Sequence, residues 1–125
     1  MKYPPITDPL PDDINPGIVR NVQWLRSHGF MTCDSGDGAT HMAECDRTYP
    51  YVCAKVAPGD LIDRVNTLVD LLRSIGQEVV PLSRAFNEEG GVDAPCIQAS
   101  YDPADGVAII DFMGVSDAIL PADLP

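Results

Sequence analysis

Seven consecutive residues, Thr32-Cys33-Asp34-Ser35-Gly36-Asp37-Gly38, form the most chemically loaded stretch of the chain. Gly36 and Gly38 let the backbone reach positive φ, where successive amides can turn inward as an anion-binding nest. Asp34 and Asp37 bring carboxylates that can accept ribose hydroxyls, hold a cation or activate a water. The stretch is not an EF-hand, because glycine stands at the third ligand position and no glutamate at the twelfth. Nor is it a Walker loop, since the lysine and the following helix are missing. Its other reading is a tight acidic turn.

Arginines and aromatics recur around it. Arg20, Trp24 and His28 follow at i, i+4 and i+8, which lines them along one row of a helix away from its apolar stripe. A tryptophan there suits a stacking platform or an interface. Arg47, Tyr49 and Tyr51 come shortly after the acidic stretch, and Arg84, Phe86 and Asn87 hold the comparable place in the second half. Arginine beside aromatics and a glycine nest fits a small phosphorylated ligand that carries a base. Asp34, Ser35, Gly36, Asp37 and Gly38 would make the backbone and ribose contacts. Arg47 and Arg84 would take the phosphate, Trp24 or Tyr51 would stack, and Arg20 is a further candidate contact.

The cysteines are Cys33, Cys45, Cys53 and Cys96. Cys33, His41, Cys45 and Cys53 offer three sulfurs and an imidazole, a donor set that zinc accepts. Their spacing differs from that of ribbons and fingers, where pairs sit two to four residues apart. Cys33, Cys53 and Cys96 fall in strand-like runs, where a free thiol acts as a small hydrophobe. A cysteine nucleophile needs a histidine, and His28 and His41 stand in no recognisable motif with any thiol. No cofactor is expected, and without a secretion signal disulfides are not expected either.

The elements that position these residues follow from periodicity and punctuation. Asn15-Pro16 opens a helix that runs to His28, with Ile18, Val22 and Leu25 as its stripe, and Gly29 closes it. Phe30–Cys33 reads as a strand broken by the acidic stretch, and Tyr51–Val56 as a second strand. Pro58-Gly59-Asp60 opens a second helix carrying Leu61, Val65, Leu68, Leu72 and Ile75, which Gly76 ends. Glu78–Leu82 reads as a third strand, and residues 85–94 as a glycine-rich loop. Pro95–Tyr101 and Val107–Met113 are strands joined by a turn at Asp102–Gly106. The expected fold is a single α+β domain, mainly an antiparallel sheet with two helices on one face, read as a doubled αββ unit. Residues 1–15 form a proline-rich arm, 16–115 the domain and 116–125 a tail.

Length and charge set the outer bounds. The 125 residues fit one domain and bury roughly two-thirds of the unfolded surface, enough to fold without staples. Lys and Arg number 8 against 19 Asp and Glu, a net charge of −11, which argues against a polymeric nucleic-acid partner. Of the 19 acids 15 are aspartate, a residue of turns and caps, so the charge reads mainly as a solubilising surface set by local structure. No apolar run approaches the ~20 residues of a membrane span. The N-terminus lacks the apolar core of a signal peptide, so a cytoplasmic location is expected.

Asn15 to Gly38, with its NPGI opening, the Gly29-Phe30 pair after the helix and the TCDSGDG stretch, resembles small accessory proteins of tailed bacteriophages. Proteins of that kind include inhibitors of bacterial defence. Some sequester cyclic nucleotide or cyclic ADP-ribose signals as oligomers with pockets between subunits. The resemblance transfers no catalytic motif. It implies a homo-oligomeric, non-catalytic sponge for a nucleotide-like signal in the bacterial host cell. Two alternatives stay open. One is a metal-assisted hydrolase using Asp34, Asp37, His41 and Cys45. The other is an acidic protein that blocks a host protein.

Overall fold

A computed structural model of the chain describes residues 2–38, 47–89 and 91–125. A 3₁₀ turn at Pro16–Ile18 leads into α1 (Val19–Ser27), followed by β1 (Met31–Gly36) and β2 (Tyr51–Val56). A second 3₁₀ turn at Pro58–Asp60 leads into α2 (Leu61–Ser74) and then a single turn, α3 (Leu82–Ala85). The hairpin β3 (Cys96–Asp102) and β4 (Val107–Met113) follows, and a 3₁₀ turn at Asp117–Ile119 precedes the C-terminus. One sheet of order β1-β2-β4-β3 contains all four strands, every pair antiparallel. The fold is a single α+β domain.

Strand alternation divides the sheet into two faces. Val52 and Ala54 of β2 and Ile110 and Phe112 of β4 pack with Ile18, Val22 and Leu25 of the first helical segment and Leu68 and Leu72 of α2. Both main helices therefore cover one face. Tyr51, Cys53, Cys96 and Met113 look the other way and form a smaller core with Ala85, flanked by Tyr49, Val80 and Leu82. The chain order α1-β1-β2, then α2-β3-β4 with the single turn α3 added before β3, puts the first strand of each half at an edge and the second in the centre. A two-fold axis through the middle of the sheet relates the halves in order and direction. The helices even end alike. Gly29 and Gly76 have φ of 80° and 79°, and each helix closes with a pair of bonds, Gly29 N to Arg26 O with Phe30 N to Leu25 O, and Gly76 N to Arg73 O with Gln77 N to Leu72 O.

Three sequence expectations are corrected. Glu78–Leu82 is not a strand. Val80 N donates to Pro95 O, but Pro81 has no N–H, and the chain turns helical at Leu82. Val79 packs into the first core and Val80 into the second, so this apolar run threads around the sheet edge rather than lying in it. The acidic stretch does not break β1 either. The strand continues through Asp34, Ser35 and Gly36, which pair with Cys53, Val52 and Tyr51, and a bulge at Cys33 absorbs the irregularity. An edge strand tolerates such polar residues because it need not be buried on both sides. Trp24, expected off the core, is 3% exposed and inside it.

The N-terminus of the first helix shows how the polar residues are used. Asn15 does not cap it. Distant carboxylates do that work: Arg20 N and Asn21 N donate to the two oxygens of Asp117, each at 2.8 Å, and Gly17 N donates to Asp37 Oδ2 at 3.2 Å. Asn15 Oδ1 instead accepts from Asp37 N, and Asn21 Nδ2 donates to Val115 O. Negative charge at a helix N-terminus also suits the peptide dipoles. Both ends of the chain are pinned to the domain. Arg64 lies between the rings of Tyr3 and Phe30, 3.9 Å from each centroid, and donates to His28 O. Ile6 N donates to Arg26 O, while Arg20 and His28 bond carbonyls of the C-terminal residues 120–122 and 125. Among the described residues no helix is long and apolar enough to cross a membrane.

Candidate functional site

The face of the sheet opposite α1 and α2 carries a polar row. Register places Asp34 beside Cys53, Cys53 beside Asp111, and Asp111 beside Gln98, one residue from each strand. Just before β2, Arg47 reaches over this row. Its Nη1 donates to both Asp111 oxygens at 3.1 and 3.0 Å. The guanidinium carbon sits 4.1 Å from the Tyr51 ring centroid and 5.8 Å from that of Tyr49. Tyr49 meets Phe86 edge-on at 5.6 Å and Tyr51 edge-on at 6.5 Å. The Tyr51 hydroxyl makes long contacts of 3.4 and 3.5 Å with the Asp34 carboxylate. Arginine is thus fixed by charge on one side and by an aromatic face on another.

Electrostatics at this row favour a held cation and protonated thiols. Burial works against the Arg47 charge, but Asp111 more than offsets it, and the Arg47 pKa is raised. Cys53 is buried, and its Sγ donates to Asp111 Oδ1 at 3.5 Å. Burial first and the Asp111 charge second push its pKa up to about 12. Cys33 and Cys96 are raised as well, each first by desolvation; Cys33 is exposed as a residue, but its thiol turns in toward the Cys53 carbonyl at 3.6 Å. A thiol becomes a nucleophile as its thiolate, and these environments suppress that form.

The residues singled out by sequence divide into separate groups. Asp34, Arg47 and Tyr51 come together here, although the Tyr51 ring is buried beneath Arg47 and offers no open face for a base. Ser35 is half-buried in β1. Gly36 and Gly38 do not make a nest: Gly36 has no positive φ, and both serve close packing. A Cβ on Gly36 would lie 2.6 Å from Tyr51 Cε1, and one on Gly38, at φ +74°, would lie 2.6 Å from the Tyr49 carbonyl carbon. Asp37 caps the first helix. Arg20 clamps the C-terminal tail and Trp24 lies in the main core, so neither belongs to the site. Arg84 is exposed on α3, on the same side of the sheet as Arg47. Of the proposed zinc set, Cys33 is exposed and Cys53 buried, while His41 and Cys45 lie outside the described residues. Among the described residues no group of three His, Cys, Asp or Glu side chains is placed to hold a metal ion.

Sequence reasoning missed Asp111, the residue that organises the row. Its signal was a lone charge inside the otherwise apolar Val107–Met113 strand. A buried or half-buried acid in such a run needs a basic partner. Beside the row's outer end, a cavity of about 120 Å³ lies between Pro11, Asp13 and Ile14 of the arm, Val22 of α1 and Thr32–Ser35 of β1. It is smaller than the roughly 300–1,000 Å³ of ordinary ligand pockets. Comparison with protein-family models, with curated proteins and with solved structures finds no match to this chain.

Proposed function

We propose that the chain is a non-catalytic binding protein for a small nucleotide-like anion, taken up on the open face formed by Arg47, Tyr49 and Phe86. The observation that carries this reading is the fixed guanidinium of Arg47. Asp111 occupies Nη1, among the described residues no other acceptor meets the guanidinium, and the residue keeps about a third of its side-chain surface in solvent, so N–H groups remain to meet a phosphate. The exposed edge of Phe86, with Tyr49 behind it, offers apolar surface for a base. Arg84 on α3 adds a second positive charge on that side. Suppressed thiolates favour binding over covalent chemistry at this face. Signalling nucleotides of the cyclic and ADP-ribose types remain the ligand class to test, as the phage resemblance implies.

Calorimetry against a panel of cyclic nucleotides and ADP-ribose derivatives tests the reading. Heat is expected from at least one phosphorylated ligand, with affinity lost in Arg47→Ala and weakened in Arg47→Lys, which keeps the charge but not the fork. A folded protein that gives no heat with any of them overturns the proposal. Chromatography of the ligand recovered after heat denaturation separates the readings further: intact ligand supports binding, and cleaved ligand overturns it in favour of hydrolysis.

A further inference from the structure

The two outer strands of the sheet hold equivalent places in the two halves, yet among the described residues they are guarded differently. β1 carries a bulge at Cys33, and Pro11, Asp13 and Ile14 of the arm run beside its Thr32–Ser35 segment. Bulges and covering segments are the usual means by which an edge avoids pairing. β3 has neither. It pairs with β4 in unbroken register over all seven residues, and among the described residues nothing hydrogen-bonds to its outer side between Cys96 and Tyr101. Gln98, Ala99, Ser100 and Tyr101 are exposed. In a chain of net charge −11, Cys96–Tyr101 contains no charged residue and no proline.

The geometry points to β3 as a self-association edge, where a second copy of this chain adds its own β3 antiparallel to form one continuous eight-stranded sheet. The strand is complementary to itself about Ala99. With Ala99 on the two-fold axis, Gln98 faces Ser100 of the second copy, and two polar side chains meet on the row face. On the helix face Ile97, half-buried at the margin of the main core, faces Tyr101, which is 61% exposed in one copy. An aromatic beside a β-branched residue is a favourable cross-strand pair, and the symmetry makes it twice. Asp102, the one charge on the strand, falls opposite Cys96, so the two Asp102 carboxylates lie at opposite ends of the new ladder. A foreign strand would gain the backbone bonds but not this matched set of side chains. The contact is one strand wide, in the class of weak, transient interfaces that bury less than about 1,200 Å². It does not depend on ligand binding.

Sedimentation velocity of the full chain from roughly 10 µM to roughly 1 mM, the range suited to weak interfaces, tests the inference. A monomer–dimer equilibrium is expected, strengthened by salt because two copies of net charge −11 repel. Tyr101→Lys removes the Ile97 contact twice and puts a charge at the edge, so association should weaken at least about tenfold. Met31→Lys, an equal change in charge at an exposed site on the guarded edge, should leave it unchanged. Both side chains are exposed, and circular dichroism checks that each variant folds. A wild-type chain that stays monomeric throughout overturns the inference, as do a dimer that Tyr101→Lys leaves intact and one that Met31→Lys weakens equally.

Discussion

Replacing Arg47 and Asp111 by alanine, singly and together, measures whether the row behaves as the unit its geometry describes. The gross attraction of two unit charges at about 4 Å is about 4 kcal/mol at an effective dielectric constant near 20. Desolvation offsets much of that, and freely exposed pairs retain only about 0.2–1 kcal/mol. Here the side chains keep 32% and 17% of their exposure, and the Tyr51 ring closes one face of the guanidinium. The coupling energy expected from the double-mutant cycle is therefore about 1–2 kcal/mol. Arg47→Ala should cost about 0.5–1 kcal/mol more than Asp111→Ala, because it also gives up the contact with Tyr51. Asp111→Ala leaves the guanidinium able to turn toward water. Urea unfolding followed by circular dichroism at two salt concentrations reads all four proteins, and much of the coupling should survive the higher salt. Coupling below about 0.3 kcal/mol, or a costlier Asp111→Ala, would refute the account of Arg47 as a doubly held cation.

Three further outcomes follow from the same structure. Asp117→Ala removes the acceptor of two amide bonds at the first helix and should cost about 2 kcal/mol in urea unfolding; a cost below about 0.5 kcal/mol would count against the remote cap. Gly36→Ala should destabilise by about 1–3 kcal/mol and alter the near-ultraviolet signal of the tyrosines, since its Cβ would overlap the Tyr51 ring; a stabilised variant would mean that the strand gains more from alanine than the ring loses. For Cys53 the folded pKa of about 12 stands above the ordinary value of 9.0, so its contribution is complete below pH 9 and is lost as pH rises toward 12. The thermal midpoint of the wild type should fall more steeply across that window than that of Cys53→Ala, and parallel slopes would contradict the assignment.

Elements with strong local punctuation were legible in the sequence, and long-range pairings were not. Both glycine stops, the apolar stripes of the two main helices and the hairpin turn at Asp102–Gly106 rest on neighbours within a few residues, and each stands in the structure. Glu78–Leu82 misled because strand patterning says only that residues alternate. It cannot say that Val79 and Val80 enter different cores around a sheet edge. Trp24 misled because its helix row is covered from outside the helix: Arg20 and His28 in that row hold C-terminal residues about 100 positions away. The site was half legible for the same reason. Arg47 and Tyr51 were close in sequence, whereas Asp111 reached them only through the β2–β4 register.

That register also changes what the acidic composition means. Aspartate suits turns, yet several aspartates here act across the fold. Asp37 and Asp117 each take helix amides from a remote segment, Asp111 holds Arg47, and Asp60 pairs with Lys2 of the arm. Each of these contacts ties a chain segment to the domain where the apolar core alone would not fix it. These carboxylates keep their charge, but most lie apart from Arg47, so a ligand there would meet the nearby guanidinium before the screened field of distant acids. The same reasoning makes the uncharged Cys96–Tyr101 edge informative. In a chain that places acids so freely, seven ladder positions with a single terminal charge mark the one long edge that the sequence leaves without electrostatic protection.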